Sequence, residues 1–147
     1  MTLVENKKAR LRYALLETYA AGLELLGTEV KAVRARLGSL DGAHVVVRGG
    51  EAFLVGATIP PFQAANAPRG YDPERARRLL LAKKEIAALA AAEAKKGLTV
   101  VPIELYSGGR NVKARIAVAR GKGKTDRRED LKRRDALREA ARALKRR

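Results

Sequence analysis

His44-Val-Val-Val-Arg48, Gly49-Gly50 and Glu51-Ala-Phe-Leu-Val55 decide the fold of this chain of 147 residues. Two β-prone runs flank a two-residue turn, and glycine at both turn positions accepts the positive φ values of a tight hairpin. The same pattern recurs downstream. Thr99 to Tyr106 and Val112 to Ala119 flank Ser107-Gly108-Gly109-Arg110-Asn111, and Val112, Ala114, Ile116 and Val118 alternate with Lys113, Arg115 and Ala117. One face of that hairpin is buried and the other is partly basic. Pro102 has no N–H for a ladder, so it belongs at an edge or a bulge. Upstream, Tyr13 to Tyr19 is rich in strand formers, Ala21-Gly22 offers a turn, and Leu23 to Leu25 resumes alternation, which predicts a third hairpin.

Helices fall between the hairpins. Gly27-Thr28 predicts a helix start, with Thr28 as cap and Glu29 favoured at the positive end. Val30, Val33 and Leu37 would be buried, Lys31, Arg34 and Arg36 would face outward, and Gly38 suits the stop. Asp72-Pro73-Glu74 orders a cap, a first-turn proline and an acid as a helix entry does. Helical sequence follows to Lys95-Lys96 and Gly97, and propensity does not decide between one helix and two broken near Leu81-Ala82. Three antiparallel hairpins with inserted helices predict a mainly β fold, a small closed barrel rather than a parallel sheet.

Charge narrows the partner. The chain carries 32 Lys and Arg against 16 Asp and Glu, a net +16, with a pI near 10.8. That excess favours nucleic acid over an anionic membrane surface. Half of it lies in Ala119 to Arg147, with thirteen basic and five acidic residues. Only Leu131, Leu137 and Leu144 are large and apolar there, too few to offset ordering entropy. The division predicted is a folded domain over 1–119 and a basic tail over 120–147. The tail is expected to be disordered alone and helical once phosphates neutralise it, with Leu137, Ala140, Ala141 and Leu144 along one side. No apolar run approaches the ~20 residues of a membrane span. The first residues lack the grammar of a signal peptide, and a cytoplasmic protein is expected.

Candidate chemistry is sparse. With no cysteine and one histidine, His44, thiolate metal sites and Ser-His-Asp sets are excluded. Gly121-Lys122-Gly123-Lys124-Thr125 mimics the end of a phosphate-binding loop, but Val118 stands where that motif needs glycine. Glu17, Glu24, Glu29 and Glu51 are read as solvated strand carboxylates rather than an acid–base pair. The basic groups Lys7, Lys8 and Arg10, then Lys31 and Arg34, then Arg75, Arg77 and Arg78, are the candidates for phosphate contact. Two Phe, four Tyr and no Trp make a poor stacking platform for single strands. A folded, duplex-like RNA recognised by shape and phosphates suits this composition better.

In order along the chain, several blocks resemble the SsrA-binding protein (SmpB) family, the partners of transfer-messenger RNA. They are Asn6 to Arg10 with Tyr13, Ala21-Gly22 to Leu25, Gly27 to Lys31 with Arg34, Gly50 to Leu54, Asp72-Pro73 with Arg78 to Leu81, Glu85-Ile86, Gly97 to Pro102 with Tyr106, and Gly121-Lys122 with Asp126 to Glu129. The resemblance implies a barrel of the oligonucleotide-binding type with three helices and a basic tail. It implies binding of the tRNA-like domain of transfer-messenger RNA and its delivery, with elongation factor Tu, to ribosomes stalled on truncated messages. The protein would act as a monomer, without cofactor, metal or catalysis. In the body, RNA contacts are expected from Asn6, Lys7, Lys8, Arg10, Lys31, Arg34, Arg78 and Leu80. In the tail, contacts with the small-subunit decoding centre and message channel are expected from Gly121, Lys122, Lys124, Asp126, Arg127, Arg128, Lys132, Arg133, Arg134 and Leu137. Four positions depart from the family pattern: Ala20 replaces a common acid, Thr125 a residue able to stack, and His44 a common aromatic, while the glycine usual soon after the first-helix arginine is displaced to Gly38. A structural ribosomal protein, also small, basic and tailed, is the rival; it would stay on salt-washed ribosomes in stoichiometric amount.

Overall fold

The computed structural model describes residues 1–63, 65, 67–121 and 138. In chain order the elements are β1 (Thr2–Glu5), α1 (Lys7–Arg12), β2 (Tyr13–Leu23), α2 (Gly27–Arg34), β3 (His44–Arg48), β4 (Glu51–Val55), β5 (Arg77–Leu80), α3 (Lys83–Ala94), β6 (Leu98–Gly108) and β7 (Asn111–Gly121). Gly49 and Gly50 turn the chain at φ of +62° and +74°. They set β3 against β4 with His44 opposite Val55 and Arg48 opposite Glu51. The second hairpin turns at Gly109-Arg110, and β7 runs to Gly121, two residues past the predicted domain end at Ala119.

The strands form one antiparallel sheet in the order β1-β6-β7-β2-β5-β4-β3. This corrects the expected closed barrel. The two ends of the sheet approach, with Cα atoms of β3 within 8 Å of β6, yet no ladder joins them among the described residues. The reason is local. α3 lies against both β3 and β6, and the Glu93 carboxylate accepts the Val47 N–H of β3 at 2.9 Å. Arg48 closes on the same carboxylate at 2.7 Å. An edge amide satisfied by a side chain has no need of another strand.

The inner face of the sheet holds the main core, where Leu54, Leu79, Leu105 and Ile116 meet Ala32 and Val33 of α2 and Leu89 and Ala92 of α3. A smaller cluster on the outer face joins Ala9 of α1 to Val101 and Ala119, flanked by Tyr13 and Leu15. On β7 the predicted alternation holds from Val112 to Ile116, and Ala117 to Ala119 are then buried on both faces because α1 covers the outer one. Pro102 sits at a bulge, where the register with β7 shifts between Pro102 and Glu104.

Two predicted elements are replaced. Ala21-Gly22 is no turn, and β2 is one strand of 11 residues paired with β7 and, at its end, with β5. Gly22 serves packing instead: a Cβ there would stand 3.2 Å from Leu80 Cβ. The helix expected from Asp72 does not form; a single reverse turn, with the Arg75 N–H donating to the Asp72 carbonyl at 3.1 Å, stands in its place. Asp72 caps the Glu74 N–H at 2.9 Å, but Arg77 to Leu80 extends as β5 because Arg77 points inward to a buried acid. Helix α3 starts only at Lys83. On α2, Leu26 is the N-cap and Glu29, not Thr28, accepts its N–H at 2.8 Å. Leu37 lies exposed beyond that helix.

Candidate nucleic-acid interface

The basic N-terminal cluster is held by a tight lock. Asn6 caps α1 by accepting the Ala9 N–H, and its amide donates to the Pro102 carbonyl at 2.8 Å. Its backbone N–H donates to the Ile103 carbonyl at 2.8 Å, so the bulge of β6 supplies both acceptors. Asn6 is therefore buried and serves as an anchor, with Lys7, Lys8 and Arg10 exposed on the helix it starts. Lys8 makes an exposed ion pair with Asp41 at 3.5 Å, of the kind worth little in stability. Beside it a shallow pocket of about 150 Å³ is lined by Lys8, Arg12, Tyr13 and His44.

Arg78 and Leu80 project from the outer side of β5. Arg78 pairs with Glu51 at 3.1 Å and more loosely with Glu24 at 3.7 Å. Leu80 is half-exposed across Gly22. Both line a groove of about 450 Å³ with Lys83 and Ile86 of α3. The α1 cluster sits at the other end of β2, roughly 25 Å away at ~3.3 Å per residue. Lys31 is exposed on α2. Arg34 is partly committed, donating to the Arg110 carbonyl at 2.6 Å and so tying α2 to the β6–β7 turn. Gly121 is exposed at the end of β7, opposite Tyr13. Lys122, Lys124, Asp126, Arg127, Arg128, Lys132, Arg133, Arg134 and Leu137 lie outside the described residues. Among the described residues no group of three or more His, Asp or Glu is placed to hold a metal ion.

Sequence reasoning misplaced Arg75 and Arg77. Both turn inward to Glu29, whose carboxylate accepts from Arg77 Nε at 2.9 Å and Nη2 at 2.7 Å. Arg75 bonds the same group through Nε at 3.1 Å and through Nη2, and the Tyr71 hydroxyl donates to it at 2.9 Å. Burial alone would push the Glu29 carboxyl up; the bonds from Arg75, the Leu26 N–H and Arg77 reverse this and hold it at about 2. Burial, with Glu29 nearby, pushes the Tyr71 hydroxyl up. Arg77 also donates to the Ala57 and Pro73 carbonyls at 2.9 Å each. The cluster thus ties α2, the segment from Ala57 to Pro73 and β5 into one frame beneath Arg78 and Leu80. Recognition of Arg77-Arg78 as a strand would have exposed this, since alternation forces one of the two inward.

These features are matched by known proteins. A sequence model described as SmpB protein matches residues 3–146. The chain belongs to the SmpB family. SsrA-binding proteins of Microcystis aeruginosa and Gloeobacter violaceus are each 47% identical to it over 144 residues, spanning 98% of this chain and 94% of theirs. That of Solidesulfovibrio magneticus is 48% identical over 141 residues, 96% of this chain and 91% of its own. In three dimensions the chain is similar, with a TM-score of 0.71 and 38% identity, to a chain of a solved structure described as "tmRNA-SmpB: a journey to the center of the bacterial ribosome". That likeness covers 84% of this chain and 87% of the other. The SmpB match extends well beyond β7, so the basic C-terminal stretch is part of the family pattern too.

Proposed function

We propose that this chain binds the tRNA-like domain of transfer-messenger RNA and brings it to stalled ribosomes for trans-translation. The observation that carries the reading is the SmpB match over residues 3–146. It is supported by the likeness to a chain from a tmRNA-SmpB structure on the bacterial ribosome. On this reading the exposed cations Lys7, Lys8 and Arg10 of α1, with Lys31 and Arg34 of α2, meet phosphates, while Arg78 and Leu80 supply a second contact at the β5 groove. Asn6 acts by fixing the pitch of α1. Residues 122–147 enter the empty message channel of the small subunit near the decoding centre and become helical there, with Gly121, the last residue of β7, as the pivot. The protein works as a monomer in the cytoplasm, is delivered with elongation factor Tu, and carries out no covalent step of its own.

An affinity-tagged full chain recovered from bacterial lysate tests this directly. Sequencing of the bound RNA is expected to show transfer-messenger RNA enriched above all other species. Stoichiometric retention of the chain on salt-washed ribosomes, with no such enrichment, overturns the reading in favour of a permanent ribosomal component.

A further inference from the structure

Strand β5 is short, with three residue pairs to β4 and two to β2. The chain alternates through it: Arg75, Arg77, Leu79 and Leu81 turn inward, while Ala76, Arg78 and Leu80 face out. The run Arg77-Arg78-Leu79-Leu80-Leu81 does not itself choose this phase. A slip of one residue would exchange Arg77 for Arg78 and Leu79 for a neighbouring leucine, and each face would keep nearly the same chemistry. Gly22, which makes room for Leu80 on β2, would receive another leucine as readily.

What separates the registers is Glu29. Its carboxylate bonds two guanidinium groups at once, those of Arg75 and Arg77, which stand two residues apart on one face. A slip one way would bring Ala76 and Arg78 to those two places, and one of the cations would be lost. A slip the other way would bring Glu74 and Ala76, an acid against an acid. Glu29 is not free to follow. Its carboxylate also accepts the Leu26 N–H at 2.8 Å at the start of α2, and Ala32 and Val33 of that helix are wholly buried. A carboxylate without contact to water needs its full set of donors.

We infer that Glu29 is a positioning residue: by engaging Arg75 and Arg77 together it selects the register of β5 and so presents Arg78 and Leu80 outward. The inference rests on the RNA-binding function proposed above, in which Arg78 and Leu80 meet the RNA. Glu29 is buried and touches no ligand. It acts by deciding which of two adjacent arginines, and which of three adjacent leucines, reaches the surface.

The register can be read directly, because the chain contains no cysteine and a single introduced thiol reports the face it occupies. In the full chain Leu80→Cys is expected to react readily with a maleimide and Leu79→Cys hardly at all, in keeping with exposures of 50% and 2%. Adding Arg75→Ala keeps the buried pair of Glu29 and Arg77 but removes the discrimination between registers. Reactivity is then expected to rise at least about tenfold at position 79 and to fall by about half at position 80, as two registers share the population. Looser packing alone would raise both, the pattern expected of Leu105→Ala, a buried change on β6. Should Leu79→Cys disturb the core, position 80 decides alone. Affinity of the Arg75→Ala chain for transcribed transfer-messenger RNA is expected to fall by the same factor as reactivity at position 80, since only the native register binds. Arg75→Lys, which keeps a cation before Glu29, is expected to restore both. Unchanged reactivity at position 80 in a folded Arg75→Ala chain overturns this inference, even if affinity falls. So does a shifted register with undiminished affinity. Failure of the wild type to bind the RNA overturns instead the function on which the inference rests.

Discussion

Replacing Glu29 by Gln removes one negative charge from a site that water does not reach, for the Glu29 and Arg77 side chains are both 0% exposed. The new side chain has the same shape, so packing changes little, and the loss is electrostatic. Two routes give its size. A carboxyl lowered from 4.5 to about 2 favours its charged form in the folded state by about 3 kcal/mol. Leaving one member of a buried pair without its partner costs about 3–5 kcal/mol. Either figure is a large part of the ~5–15 kcal/mol that holds a domain together. Urea unfolding followed by circular dichroism should show the midpoint falling by about 1.5–2 M at neutral pH, with a slope of ~1–3 kcal/mol per molar. The pH dependence has a definite sign. Because the folded carboxyl is depressed, the unfolded chain binds more protons between about 2 and 4.5. The stabilisation is therefore complete above that window and lost as pH falls through it. The gap between wild type and variant should close toward pH 2. A gap under about 1 kcal/mol at pH 7, or one equal at pH 6 and pH 3, would refute the reasoning, given a pair cost of ~3–5 kcal/mol.

Three further outcomes are expected. Lys7→Ala with Arg10→Ala should flatten the salt dependence of RNA binding by up to about 1.8 units, and an unchanged slope with unchanged affinity would confine both residues to a solvated surface. Gly22→Ala, whose methyl would meet Leu80 Cβ at 3.2 Å, should cost about 1 kcal/mol and shift Leu80 in its groove, measured as a lower melting temperature with weaker RNA binding. A chain cut after Gly121 should keep its melting temperature and its affinity for free transfer-messenger RNA yet lose peptide tagging in a reconstituted rescue assay, and full tagging by the cut chain would rule out a role for the tail.

Legibility in the sequence followed the range of the forces involved. The Gly49-Gly50 and Gly109-Arg110 turns are set by neighbours in the chain, and both hairpins were readable to within two residues. The bulge at Pro102 followed from one missing donor. Arg77 to Leu80 read as helix because Asp72-Pro73-Glu74 has the residues of a helix entry, yet it makes only a turn; what overrides it is Glu29, 48 residues away. Closure failed for a similar reason, since Glu93 is 46 residues from the amide it satisfies. Lys7, Lys8, Arg10, Lys31 and Arg78 read as cations and lie at the surface, whereas Arg77 reads as a cation and lies within, and Arg75, partly exposed, turns in to Glu29. Charge can be counted along a chain; which side of a sheet it faces needs the strand first.

The carboxylate at the border of β3 has a consequence for how the protein shares a crowded compartment. An unfinished sheet is a template, and a second molecule could extend it strand by strand into a fibre. Glu93 acts as a stopper. It fills one amide of that edge, and Arg48 keeps the stopper ionised, holding its carboxyl below the ordinary range. Glu93 belongs to the helix that also fills the gap between the sheet's two ends. The same element therefore stands between the sheet's two ends and covers part of its β3 edge. A protein that must meet polyanions gains from having an amide of this edge already occupied.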